Sequence, residues 1–219
     1  MPRTARASVG GVCYHVINRG NARAEVFHQD ADYATFVKLL ATACERIPMR
    51  VLAYCLMPNH FHLMLWPHGE GDLGRFMHLV LTAQVRHYHQ VHRSSGHLWQ
   101  GRFKAFPIQQ DEHLLTVLRY VERNALRAKL VRRAENWRWG SLAHCVPGEA
   151  QGFLHPGPLP RPRNWIAYVN RSQTAAELTA LRQSVNRGTP FGAPAWMRRT
   201  ARRLGLEASL RPRGRPRKK

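Results

Sequence analysis

Two apolar runs, MRVLAYCLM (49–57) and HFHLMLW (60–66), are separated only by Pro58-Asn59, and this juncture constrains the fold more than any other stretch. Two strand-like runs on either side of a breaker pair predict an antiparallel hairpin. Residues 12–18 (VCYHVIN) read as a strand before it, and Asp30 or Asp32 caps a helix running to about Ile47. Over 72–93, Leu73, Phe76, Met77, Val80, Leu81 and Tyr88 share one helical face. WQGRFKAFPIQ (99–109) reads as a fourth strand, and Asp111 opens a helix to about Ala128. The order β-α-β-β-α-β-α is a split βαβ arrangement with one added helix. The expected class is therefore α+β, a mostly antiparallel sheet with helices on one face plus that added helix.

The chain changes character after this unit. Residues 147–163 hold five Pro and three Gly and read as a linker or surface wrap. Residues 164–207 read as a small helical segment in two main pieces around the 188–192 break. The expected division is a first domain over 1–146, the linker, the helical segment and a basic tail over 208–219. The last nine residues carry six basic side chains and no apolar one, so they are expected to order only on a polyanion.

Composition supports a folded, strongly cationic protein. The 219 residues are 44% hydrophobic, enough for a core, yet 34 Lys+Arg against 13 Asp+Glu leave a charge of +21. Of the basic residues 29 are Arg and 5 Lys, and the Arg fork matches phosphate oxygens in pairs. Nucleic acid is the expected partner. Apolar runs such as 51–57 fall short of the roughly 20 residues of a membrane span, and the N-terminus has no apolar signal core. Cys13, Cys44, Cys55 and Cys145 form no CxxC pair. They read as reduced thiols of a cytoplasmic protein.

The chemistry-bearing residues lie on two elements. His60 and His62 are two apart on a predicted strand, so their imidazoles point to one face while Phe61 turns to the other. Two neutral nitrogens make half of a metal site. On the helix from Asp111, the stripe Leu114, Val117, Leu118, Val121, Ala125 is flanked by His113, Tyr120, Asn124 and Arg127. Tyr120 and Asn124 stack one turn apart. With Asn124 as third ligand, a His60/His62/Asn124 triad of neutral groups leaves an ion its full charge for a phosphodiester. Tyr120 is then the candidate nucleophile, with Arg127 and His113 as phosphate or transition-state support.

At these residues the sequence resembles the HUH single-strand transposases of the one-tyrosine type, and within them the REP-associated tyrosine transposases. The resemblance rests on YHVINRGN (14–21), YCLMPNHFHLML (54–65), WQGRFK (99–104), LLTVLRYVERNALRA (114–128) and NWRWGS (136–141). It implies a bacterial, nucleoid-associated enzyme on a ferredoxin-like sheet that cleaves and rejoins single-stranded DNA beside REP-like palindromic hairpins. It also implies one Mg²⁺ or Mn²⁺ on His60, His62 and Asn124, a 5′-phosphotyrosine at Tyr120, no small-molecule cofactor, and a monomer in preference to a dimer, with both states open. Where many relatives read Asn-Pro, this chain has Asn124-Ala125.

Further DNA contacts are expected from Arg19 and Arg23 in the loop after the first strand, and from Trp99, Arg102, Phe103 and Lys104, which mix aromatic and basic groups as base-stacking surfaces do. Arg119 and Arg123 on the tyrosine helix are expected to face DNA as well. Arg213, Arg215 and Arg217 lie in a PRGRP tail resembling an AT-hook. Two rival readings are a catalytically silent hairpin-binding protein on the same fold and a nuclease using water as nucleophile.

Overall fold

The computed structural model describes residues 8–145 and 152–211. Strands β1 (Cys13–Arg19), β2 (Met49–Met57), β3 (His60–Pro67) and β4 (Lys104–Ile108) form one antiparallel sheet in the order β2-β3-β1-β4. Helices α1 (Asp30–Arg46) and α2 (Asp72–His92) link β1 to β2 and β3 to β4. This is the ferredoxin-like split βαβ sheet. The carboxylate of Asp32, in the first turn of α1, accepts the backbone N–H of His28 and of Gln29 and so ties the helix start to the preceding loop.

Alternation divides the strands between two cores. Tyr14, Val16, Phe61, Leu63 and Leu65 pack under α1 and α2, with Phe36, Leu40, Phe76 and Val80 opposite them. Cys13, Cys55, Met64, Phe106 and Ile108 face the other way, under α3 (Glu112–Glu122). β2 serves both layers through a bulge. Val51 pairs with Leu65 and Ala53 with Met64, so Leu52 is the extra residue and the alternation changes phase there. The thiols of Cys13 and Cys55 are buried, and burial pushes both up to about 12.

The helix expected to run unbroken to Ala128 is interrupted, because α3 ends at Glu122 and a short α4 (Asn124–Arg127) follows. The amide nitrogen of the Asn124 side chain donates to the carbonyls of Tyr120 and Val121. A side chain that takes backbone acceptors in this way competes with the helix ladder. The fourth strand is also shorter than expected. Only 104–108 is strand, while 100–103 turns, with Gln100 N–H donating to the Arg19 carbonyl and Asn18 to that of Gly101.

Residues 152–211 close both open edges of the sheet. Leu154 bridges Val51 on β2, and the Arg161 guanidinium reaches the Leu52 carbonyl at 2.7 Å. Helices α5 (Trp165–Asn170) and α6 (Ala175–Arg187) then pack Trp165, Val169 and Leu181 into the core under α3. Phe191 pairs with Ile108 on β4, exchanging backbone hydrogen bonds with Pro107 and Gln109 at 2.9 Å. Beyond Phe191 come α7 (Pro194–Arg203) and α8 (Glu207–Leu210).

Candidate active site

Register brings the first site residues together. His62 lies opposite Ile17, and His60 opposite Arg19, on β1. By alternation, His15, two residues before Ile17, shares their face. Nε2 of His15 and Nδ1 of His62 are 2.8 Å apart and their rings are nearly parallel, at 4°. The ring of Tyr120 from α3 stands edge-on to both, with centroids 5.8 Å from His62 and 6.1 Å from His15. The Arg127 guanidinium lies over the tyrosine ring, 4.2 Å from its centroid. These contacts gather β1, β3, α3 and α4 around one buried point.

All three histidines are held neutral. Burial is the main cause in each case, lowering His15 to about 3 and His60 to about 4, with Arg127 contributing to both and Arg19 to His60. Burial, His15, His60, Arg127 and Arg19 together hold His62 well below the ordinary range. Neutral imidazole is the form that ligates a metal. Nδ1 of His60 donates to Oδ1 of Asn59 at 2.6 Å, leaving Nε2 bare. Asn59 is itself fixed, since its amide nitrogen donates to the Arg23 carbonyl. When Nδ1 of His62 donates to His15, its Nε2 is likewise bare, and the outer residue orients the ligand. Nδ1 of His15 is then a buried donor without a partner.

Asn124 is buried, with its nitrogen committed to the helix carbonyls and Oδ1 accepting from Arg127. A carbonyl oxygen has two lone pairs, so one remains. The donor set of two bare imidazole nitrogens and one amide oxygen therefore fits a divalent ion of the Mn²⁺ or Mg²⁺ class, softer ions fitting the imidazoles better still. Next to this point, Arg19, Arg102, Lys104 and Asn186 of α6 ring a cavity of about 280 Å³ floored by Ile17.

The comparisons bear on family and fold. The family described as "Transposase IS200 like" matches residues 8–124, more than half of the chain and ending at Asn124. The chain belongs to the IS200-like transposase family. A Haemophilus influenzae protein named as a REP-associated tyrosine transposase is 28% identical to this transposase over 117 residues, 48% of this chain and 66% of the relative. The chain thus spans just under two-thirds of that relative's length. A solved REP-associated tyrosine transposase, bound to a REP hairpin, shares the fold with a TM-score of 0.55 at 17% identity, covering 71% of this chain and 92% of the other.

Several expected site residues of the transposase sit elsewhere. Trp99 and Phe103 are buried in the core under α1 and α2 and offer no face to a base. Arg102 and Lys104 beside them are exposed. Arg119 and Arg123 face the protein. Arg119 donates to the Arg171 and Ser172 carbonyls, Arg123 to those of Val169 and Asn170. His113 pairs with Asp111 at 2.7 Å and lies two turns, about 10 Å along the axis, from Tyr120. Its ring is engaged by Asp111 and Phe191. Arg23 is exposed in the turn Asn21–Arg23, while Arg213, Arg215 and Arg217 fall outside the described residues.

His15, which the sequence offers with His68 only as an outer contact near a strand end, is brought beside His62 by the structure. Its signal is parity with His62 across the β1–β3 register, which appears only once the strands are paired. The histidine-rich run 86–92 forms no rival site. Its Tyr88 hydroxyl bonds His28 at 2.9 Å, and His92 meets Asp32 at 3.2 Å.

Proposed function

We propose that this IS200-like transposase cleaves and rejoins single-stranded DNA beside REP-like hairpins, with Tyr120 as nucleophile. The observation that carries the reading is the phenol of Tyr120 set against the His15–His62 pair with Arg127 stacked on its ring. The Tyr120 oxygen gives up its proton and bonds to phosphorus. The bond from phosphorus to the 3′-oxygen breaks, and that oxygen takes a proton to become a free 3′-OH. The product is a 5′-phosphotyrosine that keeps the phosphodiester's energy, and attack by a 3′-OH reverses the step and frees Tyr120.

Arg127 is placed to favour the phenolate and the charge on the phosphoryl oxygens. His60, His62 and Asn124 would hold the divalent ion, which when bound supplies positive charge at the phosphate. His15 and Asn59 hold the ligand tautomers. Arg19, Arg102 and Lys104 around the adjoining cavity take the unpaired strand by its phosphates. Hairpin specificity is carried over from the structural neighbour, which was solved on a REP hairpin. Among the described residues no helix is long and apolar enough to cross a membrane.

The test is incubation with Mn²⁺ or Mg²⁺ and a labelled REP-type hairpin carrying a single-stranded flank. A covalent adduct on denaturing gels that vanishes in Tyr120→Phe protein is expected, and it should vanish too with chelator. Cleavage without an adduct would assign the attack to water, and binding without cleavage would leave a hairpin-binding protein.

A further inference from the structure

The tyrosine helix is held from behind by bonds that converge on Glu122. This last residue of α3 is buried. It lies two residues from Tyr120, about 200° round the helix, so it faces away from the histidines while Tyr120 faces them. Oε1 of Glu122 accepts the Ser141 hydroxyl at 3.0 Å and the Arg161 guanidinium at 3.3 Å, and Oε2 accepts the Trp165 indole N–H at 2.6 Å. Two of these donors are also tied to β2. Ser141 accepts the Tyr54 N–H at 3.1 Å, and Arg161 donates to the Leu52 carbonyl at 2.7 Å. Donors from three parts of the chain leave the acceptor-only carboxylate one orientation.

We propose that Glu122 is a positioning residue for the reaction: its three bonds set the rotation of α3 about its axis and thereby aim the Tyr120 ring and Asn124 Oδ1 at the histidine pair. The inference rests on the proposed role of Tyr120 and extends the machinery to Ser141, Arg161 and Trp165, beyond the matched stretch that ends at Asn124. Asn124 follows the last turn of α3 because its side chain donates to the Tyr120 and Val121 carbonyls.

Apolar packing does not set that rotation by itself. Leu114, Val117, Leu118 and Val121 seat α3 on the sheet through contacts that have no direction. A rotation of about 10° at a side-chain radius of about 6 Å shifts a site atom by about 1 Å, and a misplacement of that size can cost about 100-fold in rate. Arg119 and Arg123 tie the helix to carbonyls around the end of α5. Glu122 ties it to β2 as well, where Tyr54 pairs with Leu63 and Cys55 with His62 itself. The network therefore links the tyrosine helix to the strand beside the metal-ligating one. A buried ion pair gives little stability over apolar groups of the same volume; this one supplies direction.

The test compares the full-length protein with its Glu122→Gln, Trp165→Phe, Glu122→Gln/Trp165→Phe and Val80→Ala variants, each at a temperature where thermal melts show it fully folded. Val80 lies in the other core, under α1 and α2, and controls for lost stability alone. Three quantities are read: the single-turnover rate of adduct formation on saturating hairpin with Mn²⁺, hairpin affinity in chelator by fluorescence anisotropy, and Mn²⁺ affinity by calorimetry without DNA. In Glu122→Gln the amide must turn a donor either toward Trp165 or toward Ser141 and Arg161, so adduct rate and Mn²⁺ affinity should each fall by about 10-fold or more, with hairpin affinity unchanged. Trp165→Phe should also slow the adduct, and the double variant should be no slower than Glu122→Gln because both changes act through one network. Val80→Ala should keep rate and metal affinity. Full rates in both Glu122→Gln and Trp165→Phe overturn the proposal, as does an equal loss in Val80→Ala or a loss confined to hairpin affinity. A parent protein that binds Mn²⁺ but forms no adduct sinks the catalytic reading by itself, and the calorimetry then decides this one: weakened Mn²⁺ binding in Glu122→Gln supports it and unchanged binding overturns it. A parent with neither adduct nor Mn²⁺ binding overturns both.

Discussion

Helices α3 and α7 carry arginine at the same spacing, and the fold treats them in opposite ways. On α3 and its continuation, Arg119, Arg123 and Arg127 follow one another at four-residue steps. Arg119 is 5% exposed and donates to two carbonyls just past the end of α5, with its guanidinium over the Tyr168 ring at 4.3 Å and 3.5 Å from Glu177. Arg123 takes the next pair of carbonyls, and Arg127 turns to Asn124 and Tyr120. Among the described residues the four on α7, Arg198, Arg199, Arg202 and Arg203, are exposed and meet no such acceptors. A short helix such as α5 leaves carbonyls without intrahelical partners at its C-terminal end, and cations there are favoured by its dipole. Arginine on a helix is scaffold where another helix ends against it and surface where none does.

The sharpest way to break this contrast is to truncate one residue from each helix. Arg119→Ala removes two hydrogen bonds, an ion pair and ring contact from a buried place, and the Arg171 and Ser172 carbonyls are left behind. The expected loss is about 3 kcal/mol, read as a shift of urea midpoint at constant slope. Arg198→Ala should change stability by less than about 0.5 kcal/mol. Equal effects on stability would erase the distinction. The next largest effect is that of Arg123→Ala, about 1.5 kcal/mol. It is smaller because Arg123 is only half-buried where Arg119 is buried, and among the described residues it makes neither the ion pair nor the ring contact that Arg119 makes.

The same contrast explains what was legible in the sequence. The hairpin at Pro58-Asn59, the order of elements and the His60/His62 and Tyr120/Asn124 pairs follow from local rules, two-residue and four-residue periods that act within one element, whereas joining the two pairs in one site leans on the family resemblance. Arg119 and Arg123 were not legible, because their partners are carbonyls some 46 to 53 positions later, on a helix that periodicity could only outline. Trp99 and Phe103 failed for a different reason. A mixed aromatic and basic run reads as a stacking surface, and only the packing of α1 and α2 over it shows the rings to be core. His15 needed register, which no single segment encodes.

The smallest effect sharpens the comparison through pH. Asn170, at the end of α5 where Arg123 binds, also donates from its side chain to Glu135 at 2.7 Å, and Arg133 reaches the same carboxylate. Burial alone would raise Glu135, but the Asn170 amide, its own backbone N–H and Arg133 outweigh it and hold the group below its ordinary value of 4.5. A carboxylate depressed in the folded state binds its proton first in the unfolded chain as pH falls. Its contribution is therefore complete above about 4.5 and is lost as pH drops through the lower folded value. Glu135→Gln should cost about 1 kcal/mol at pH 7, and the gap to the parent protein should close between pH 4.5 and the acid limit of folding. Thermal melts of the two proteins across that range measure it, and other titrating groups cancel in the difference. Arg198→Gln should instead run parallel to the parent across that acid range, since among the described residues no carboxylate pairs with Arg198; a gap that varies with pH there would mean that Arg198 has an internal partner after all.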